Sequence, residues 1–95
     1  MMIPIIIRHK VNDYTSWKTE FDAFAETRKS SGEKSYRILH PSTDPNDLVL
    51  LFEWESTEKA ETFLRSPELK AAMERAGVAE EPQVEFFKQV DFGKV

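Results

Sequence analysis

The chain has no cysteine, which removes disulfides, thiolate zinc sites, iron–sulfur ligation and a cysteine nucleophile from its possible chemistry. That composition fits a cytoplasmic protein. Glycine is scarce, and Gly32, Gly77 and Gly93 stand too far apart to build a loop that cradles phosphate. Excess positive charge is missing as well. With 13 Lys and Arg against 17 Asp and Glu the formal net charge is -4, so the basic patch from which nucleic-acid binding draws its affinity is not expected. Long apolar runs are also absent. MMIPIIIRHK has no basic stretch ahead of its isoleucines and no small-residue cleavage site after them, and no run reaches the roughly 18 apolar residues of a bilayer span, so neither a signal peptide nor membrane insertion is expected. The two histidines, His9 and His40, fall on strands that are not expected to be neighbours, and no metal site is predicted.

What is present is a small aromatic core. Seven Phe, two Trp and two Tyr in 95 residues raise the area buried per residue, and the 40% apolar content fits one domain over residues 1–95. Ile3, Ile5, Ile7, His9 and Val11 alternate with Pro4, Ile6, Arg8 and Lys10, the period of a strand. From Asp13 the period becomes helical. Tyr14, Trp17, Phe21, Phe24, Ala25 and Arg28 share one face, and Gly32 ends what reads as a single helix of about five turns. Alternation returns from Glu33 to His40, with Tyr36, Ile38 and His40 on one side. PSTDPND then forms a hairpin loop of about seven residues.

The segment LVLLFEWESTEKAETFLRSPELKAAMERAG, Leu48–Gly77, carries the most instruction. Leu48, Leu50, Phe52 and Trp54 form the apolar face of a strand; Ser56 is placed to cap a short helix, and Ser66-Pro67 ends it and starts a second that stops at Gly77. Pro82 opens a last strand predicted over Val84 to Val90, and residues 91–95 read as a tail or exchanged arm. The predicted fold is therefore α+β, a ferredoxin-like βαββαβ with a split second helix and a four-stranded antiparallel sheet. Helices cover one face of such a sheet. Ile6, Leu39, Val49, Leu51 and Phe87 on the other face would stay wet in a monomer, so face-to-face pairing with a second copy is expected.

The element order, the aromatic helix DYTSWKTEFDAFA, and the run Trp54-Glu55-Ser56 followed by Phe63-Leu64, Ser66, Glu68-Leu69-Lys70 and Ala72 resemble the dimeric α+β barrel superfamily, in its antibiotic-biosynthesis-monooxygenase-like branch. The resemblance covers nearly the whole chain. It implies a homodimer forming a dimeric α+β barrel and binding a small aromatic molecule. On that reading the protein is a cofactor-independent monooxygenase acting on a phenolic or quinol-like compound, with no cofactor. The alternative is a non-catalytic ligand-binding or stress-associated dimer without enzymatic activity, favoured by the lack of a paired acid–base constellation. Haem degradation, a third branch, is disfavoured because Phe63 and Met73 stand where that branch has a pocket tryptophan and an iron-ligating histidine.

Candidate site residues follow from strand faces and helix periods. His9 lies among isoleucines, where a neutral imidazole bonded to a neighbour is the leading reading and a general base the alternative. Glu53 follows the apolar half of its face and is the carboxylate to test as a base, against a structural ion pair. Trp54 is expected to pack under the first helix against Trp17 or Phe21. A wall of Trp17, Trp54, Phe63 and Tyr36 would suit a flat aromatic ligand; Met73 reads first as core packing with Leu69 and Ala76, and His40, before Pro41, first as solvent-exposed, with the far end of the pocket as the alternative for each.

Overall fold

The alternating isoleucines form a strand, β1 (Ile3–Lys10), at the interior of the sheet in a computed structural model that describes residues 2–95. Helices α1 (Tyr14–Ala23) and α2 (Ala25–Ser31) follow, then strands β2 (Glu33–Leu39) and β3 (Asp47–Trp54). Helices α3 (Thr57–Leu64) and α4 (Pro67–Ala76) lead into a short strand, β4 (Gln83–Phe86). The sheet order is β2-β3-β1-β4, and every neighbouring pair is antiparallel. This is the ferredoxin-like α+β arrangement with its second helix split.

Local chemistry sets the helix ends. The Asp13 side chain accepts from the Ser16 N–H at 2.9 Å, and the Ser56 and Ser66 hydroxyls accept from Lys59 and Leu69 N–H at 3.2 Å each. Each such cap supports its helix by about 1 kcal/mol. At the end of α4, Gly77 is left-handed at φ 73, where a Cβ would also meet the Asn12 Nδ2 at 3.2 Å.

The core lies between the helices and one face of the sheet. Ile5, Leu48, Leu50, Phe52 and Trp54 from the strands meet Trp17, Phe21, Ala60, Phe63 and Ala76 from the helices. On the other face Ile6, Val49 and Leu51 are half-buried, while Leu39 and Phe87 are exposed. No helix of the described residues is long and apolar enough to cross a membrane.

Two expectations need correction. The five-turn helix is broken at Phe24 (φ -92, ψ 3), whose N–H is shared between the Glu20 and Phe21 carbonyls at 3.1 and 3.3 Å. The Phe21 carbonyl also accepts from the Arg28 guanidinium, a bond that ties α2 to the end of α1 across the break. The last strand ends at Phe86 and not near Val90. Phe87 still donates its N–H to the Pro4 carbonyl at 2.9 Å, but Pro4 has no N–H to return, and the ladder stops there. Residues 88–95 are exposed and form neither helix nor strand.

Candidate functional site

A cavity of about 300 Å³ lies between the helices and the sheet. Its walls are aromatic. Trp17 stacks on Phe21 with ring centroids 4.8 Å apart, and Trp54 meets Phe63 at 5.1 Å. Met73, Leu69 and Ala72 from α4 complete the lining, and Val84 of β4 sits at its margin, where no helix covers the strand. A space of this size and lining accepts a flat apolar molecule.

Three polar side chains matter in that lining. His9 faces the cavity from β1, opposite Leu48 in the ladder, and only 7% of its surface is exposed. Its ring stands edge-on to Trp17 at 5.7 Å, and among the described residues neither Nδ1 nor Nε2 has a hydrogen-bond partner. The expected neighbour bonded to this imidazole is not there. Burial alone pushes its pKa down from 6.5 to about 4, so the ring is neutral at physiological pH, with one nitrogen free to donate and the other to accept. Leaving such a buried group unpaired costs about 1–3 kcal/mol, a cost that a bound polar group would recover.

Arg28 and Glu33 form the second polar element. Arg28 Nε donates to Glu33 Oε1 at 2.9 Å, Nη1 donates to the Phe21 carbonyl, and the guanidinium lies 3.6 Å from the Phe21 ring centroid. Burial holds the Glu33 carboxyl above its usual range, partly offset by the Arg28 charge. Glu33 pairs with Trp54 on β3, while Leu48 pairs with His9. The two polar elements therefore stand at opposite ends of β3, about 20 Å apart along the strand.

The fold gathers His9, Trp17, Trp54, Phe63 and Met73 around this cavity. Three expected site residues lie elsewhere. Glu53 is exposed on the opposite sheet face, where it accepts from the Ser35 hydroxyl at 3.3 Å, so it lacks the burial that motivated reading it as a base. Tyr36 is exposed beside the cavity, its ring T-shaped to Phe21 with centroids 5.0 Å apart. His40 lies beyond the end of β2, exposed, with Nδ1 2.6 Å from the Pro41 carbonyl. Trp54 also differs from expectation: it packs on Phe63 of α3, and Trp17 and Phe21 pack on each other instead.

Sequence reasoning gave no role to Arg28 or Glu33. The signal was a cation at helical spacing within an aromatic face, at Phe21, Phe24 and Arg28, with a carboxylate just past Gly32. Among the described residues, no group of three or more His, Asp or Glu side chains is placed to hold a metal ion.

Comparison with known proteins follows the same lines as the geometry. A family model for antibiotic biosynthesis monooxygenase matches residues 13–75. No curated protein matches the sequence. The fold is similar to SnoaB, a cofactor-independent oxygenase from Streptomyces nogalater, at 15% identity over 94% of this chain and 95% of that one, with a TM-score of 0.72. It is similar to a Bordetella bronchiseptica protein proposed to be an antibiotic biosynthesis monooxygenase, at 18% identity over 94% and 97% of the two chains and a TM-score of 0.79. Rv0793 from Mycobacterium tuberculosis gives 18% identity over 99% and 100%, with a TM-score of 0.70. At these identities the structural likeness carries the fold alone.

Proposed function

The chain belongs to the antibiotic biosynthesis monooxygenase family, and from that premise we propose a homodimer that binds a flat phenolic or hydroquinone-like molecule in each helix–sheet cavity and oxidises it with dioxygen. The observation that carries this reading is His9: a neutral imidazole with two unpartnered nitrogens, facing an apolar space walled by Trp17. The whole chain, 1–95, acts as one unit, and a cysteine-free sequence suits the reducing cytoplasm.

The cavity residues divide the work. Trp17, Phe21, Trp54 and Phe63 hold the ring system by stacking and exclude water, and the free nitrogen of His9 accepts the hydrogen bond of the substrate hydroxyl. An imidazole with a pKa of about 4 is too weak a base to ionise a resting phenol. It suffices when the proton leaves as the electron does, because a phenol that has given an electron to dioxygen is strongly acidic. The O–H bond breaks, an N–H bond forms on His9, and the electron reduces dioxygen to superoxide beside a carbon-centred radical. Their recombination forms a C–O bond, the resulting peroxide anion takes a proton from water, and the hydroperoxide loses water, its carbon giving up C–H as the O–O bond breaks, to leave a carbonyl. One oxygen atom enters the product, the other leaves as water, and the substrate supplies the electrons.

Oxygen uptake with a series of hydroquinones and flat phenols tests the reading. Uptake above the uncatalysed rate, falling by about a hundredfold or more in His9→Phe, is expected. Uptake by the wild type no faster than autoxidation would overturn it. One observation favours a second reading, a ligand-binding dimer without catalysis: no side chain fixes the His9 tautomer, as an orienting group does for most catalytic histidines. That protein would quench tryptophan fluorescence on binding the same compounds and consume no oxygen.

A further inference from the structure

Beside His9 the ladder that runs between β1 and the chain entering β4 comes apart. Arg8 lies opposite Gln83, whereas Val11 lies opposite Val78, so three steps along β1 face five along the other segment. Ala79 remains tied to β1 through its N–H on the Lys10 carbonyl at 2.8 Å. The surplus residues therefore loop out within Glu80–Glu81–Pro82, opposite His9. Pro82 holds the register position facing His9 and has no N–H with which to close the ladder. A bulge of this kind opens the pairing and re-aims neighbouring side chains.

Two spaces lie beside this bulge and share lining residues. On one side is the apolar cavity; on the other is a polar groove of about 370 Å³, bordered by Arg8, Lys10, Asp47, Glu80 and Gln83. Among the described residues, His9 and Glu81 alone border both. We propose that Glu81 relays protons between His9 and the groove, so that the bulge is the proton port of an otherwise apolar cavity. This rests on the reading of His9 as the cavity's proton acceptor. The imidazolium formed when substrate gives up its proton breaks an N–H bond; an O–H bond forms on the Glu81 carboxylate, directly or through water, and the proton then passes to solvent. No electrons change hands, and His9 returns to its neutral form.

The surrounding charges fit this role. From its own strand His9 is flanked by Arg8 and Lys10, from β3 by Asp47, and from the looped segment by Glu80 and Glu81; on the cavity side α1 contributes Glu20, with Tyr14 behind Trp17. Arg8 and Asp47 neutralise each other at 2.8 Å, and Glu20 is held by Arg75 of α4 at 3.4 Å. Glu80 borders the groove only, which leaves Glu81 as the free carboxylate that reaches the cavity as well. It acts through His9 and is a positioning residue for the proton, without contact to substrate.

The test reads the proton itself. Nitrogen-15 NMR of the intact wild-type protein gives the rate at which the His9 ring N–H exchanges with water, and no substrate is needed. Glu81→Gln is expected to slow that exchange by about tenfold or more, with Glu81→Asp or added formate restoring it and Glu80→Gln leaving it unchanged. An exchange rate unaltered in Glu81→Gln, or slowed equally in Glu80→Gln, overturns the relay. Because the measurement is independent of turnover, it fails separately from the oxygen-uptake test of the oxygenase reading.

Discussion

Arg28 and Glu33 pair across the turn from α2 to β2, Nε to Oε1 at 2.9 Å, with both side chains more than nine-tenths buried. The pair does more than neutralise charge. The same guanidinium caps the Phe21 carbonyl released by the helix break and lies over the Phe21 ring, so one side chain holds α1, α2 and the start of β2 together. Pairs of this burial gain little over well-packed apolar side chains, but losing one partner is expensive.

Arg28→Met is therefore expected to destabilise the fold by about 3–5 kcal/mol, because Glu33 remains buried without its counter-charge. Arg28→Met combined with Glu33→Leu should recover most of that loss. Urea unfolding midpoints with unchanged slopes give both numbers. A single variant within about 1 kcal/mol of the wild type would show that the pair is solvated in solution.

His9 sets a pH dependence of known sign. Between pH 6.5 and about 4 the unfolded chain binds a proton that the folded chain refuses, so stability is present above this window and is lost as the pH falls through it. At ~1.4 kcal/mol per pH unit the loss reaches at most roughly 3–4 kcal/mol. Glu33 works in the opposite direction: its folded pKa is raised, so its contribution is full below 4.5 and is lost as the pH rises through the folded value. His9→Leu removes the first slope and keeps the second, and it should raise stability at neutral pH by about 1–3 kcal/mol by deleting an unpaired buried group. Thermal unfolding of both proteins from pH 4 to 8 checks the sign; an acid slope that survives in His9→Leu would place its origin elsewhere.

Much of this architecture is legible in the alternation of Ile3, Ile5, Ile7 and His9 and of Leu48, Leu50, Phe52 and Trp54, because burial on one face writes a period of two directly into residue choice. The capping serines and the proline after Ser66 are as readable, being local chemistry. The break at Phe24 is not. Trp17, Phe21, Phe24 and Arg28 keep helical spacing straight through it, and the bond that accompanies it, from Arg28 to the Phe21 carbonyl, involves a guanidinium that Glu33 also holds from beyond the helix. Site residues divide in the same way. Trp17 and Phe63 are placed by periodicity, whereas the exposure of Glu53 follows from a sheet face that no helix reaches, and the unpaired state of His9 follows from a bulge seventy residues further along the chain.

The uncovered sheet face predicts an assembly that can be taken apart by one charge. Register puts Leu51 between Ile6 and Arg37, and Val49 between Arg8 and Leu39, so the half-buried apolar groups Ile6, Val49 and Leu51 lie side by side across the interior strands. A second copy covering them gives the barrel expected of this fold. Sedimentation at micromolar concentration should show a dimer for the wild type and a monomer for Ile6→Asp, since a carboxylate buried there would face Leu51 on one side of the ladder and the like charge of Glu85 on the other. A wild-type monomer would remove the dimer from the proposed function and leave the cavity argument standing, because the cavity is lined from one chain.

Ligand affinity should separate Trp17 from Tyr36, two aromatic residues that both touch Phe21. Trp17 stacks on Phe21 inside the cavity wall and faces the His9 edge, so a flat ligand seated near His9 must lie against its indole. Tyr36 meets Phe21 from outside that wall. Stacking of this kind contributes about 0.5–1.5 kcal/mol beyond area, so Trp17→Leu is expected to weaken binding of a hydroquinone by about tenfold. Tyr36→Leu should leave the affinity nearly unchanged. Isothermal titration of the two variants with one compound decides it, with circular dichroism of Trp17→Leu, the buried position of the two, showing that it is folded. Equal losses would move the ligand out of the cavity toward β2; a loss confined to Tyr36→Leu would place it on the edge of the sheet, away from His9.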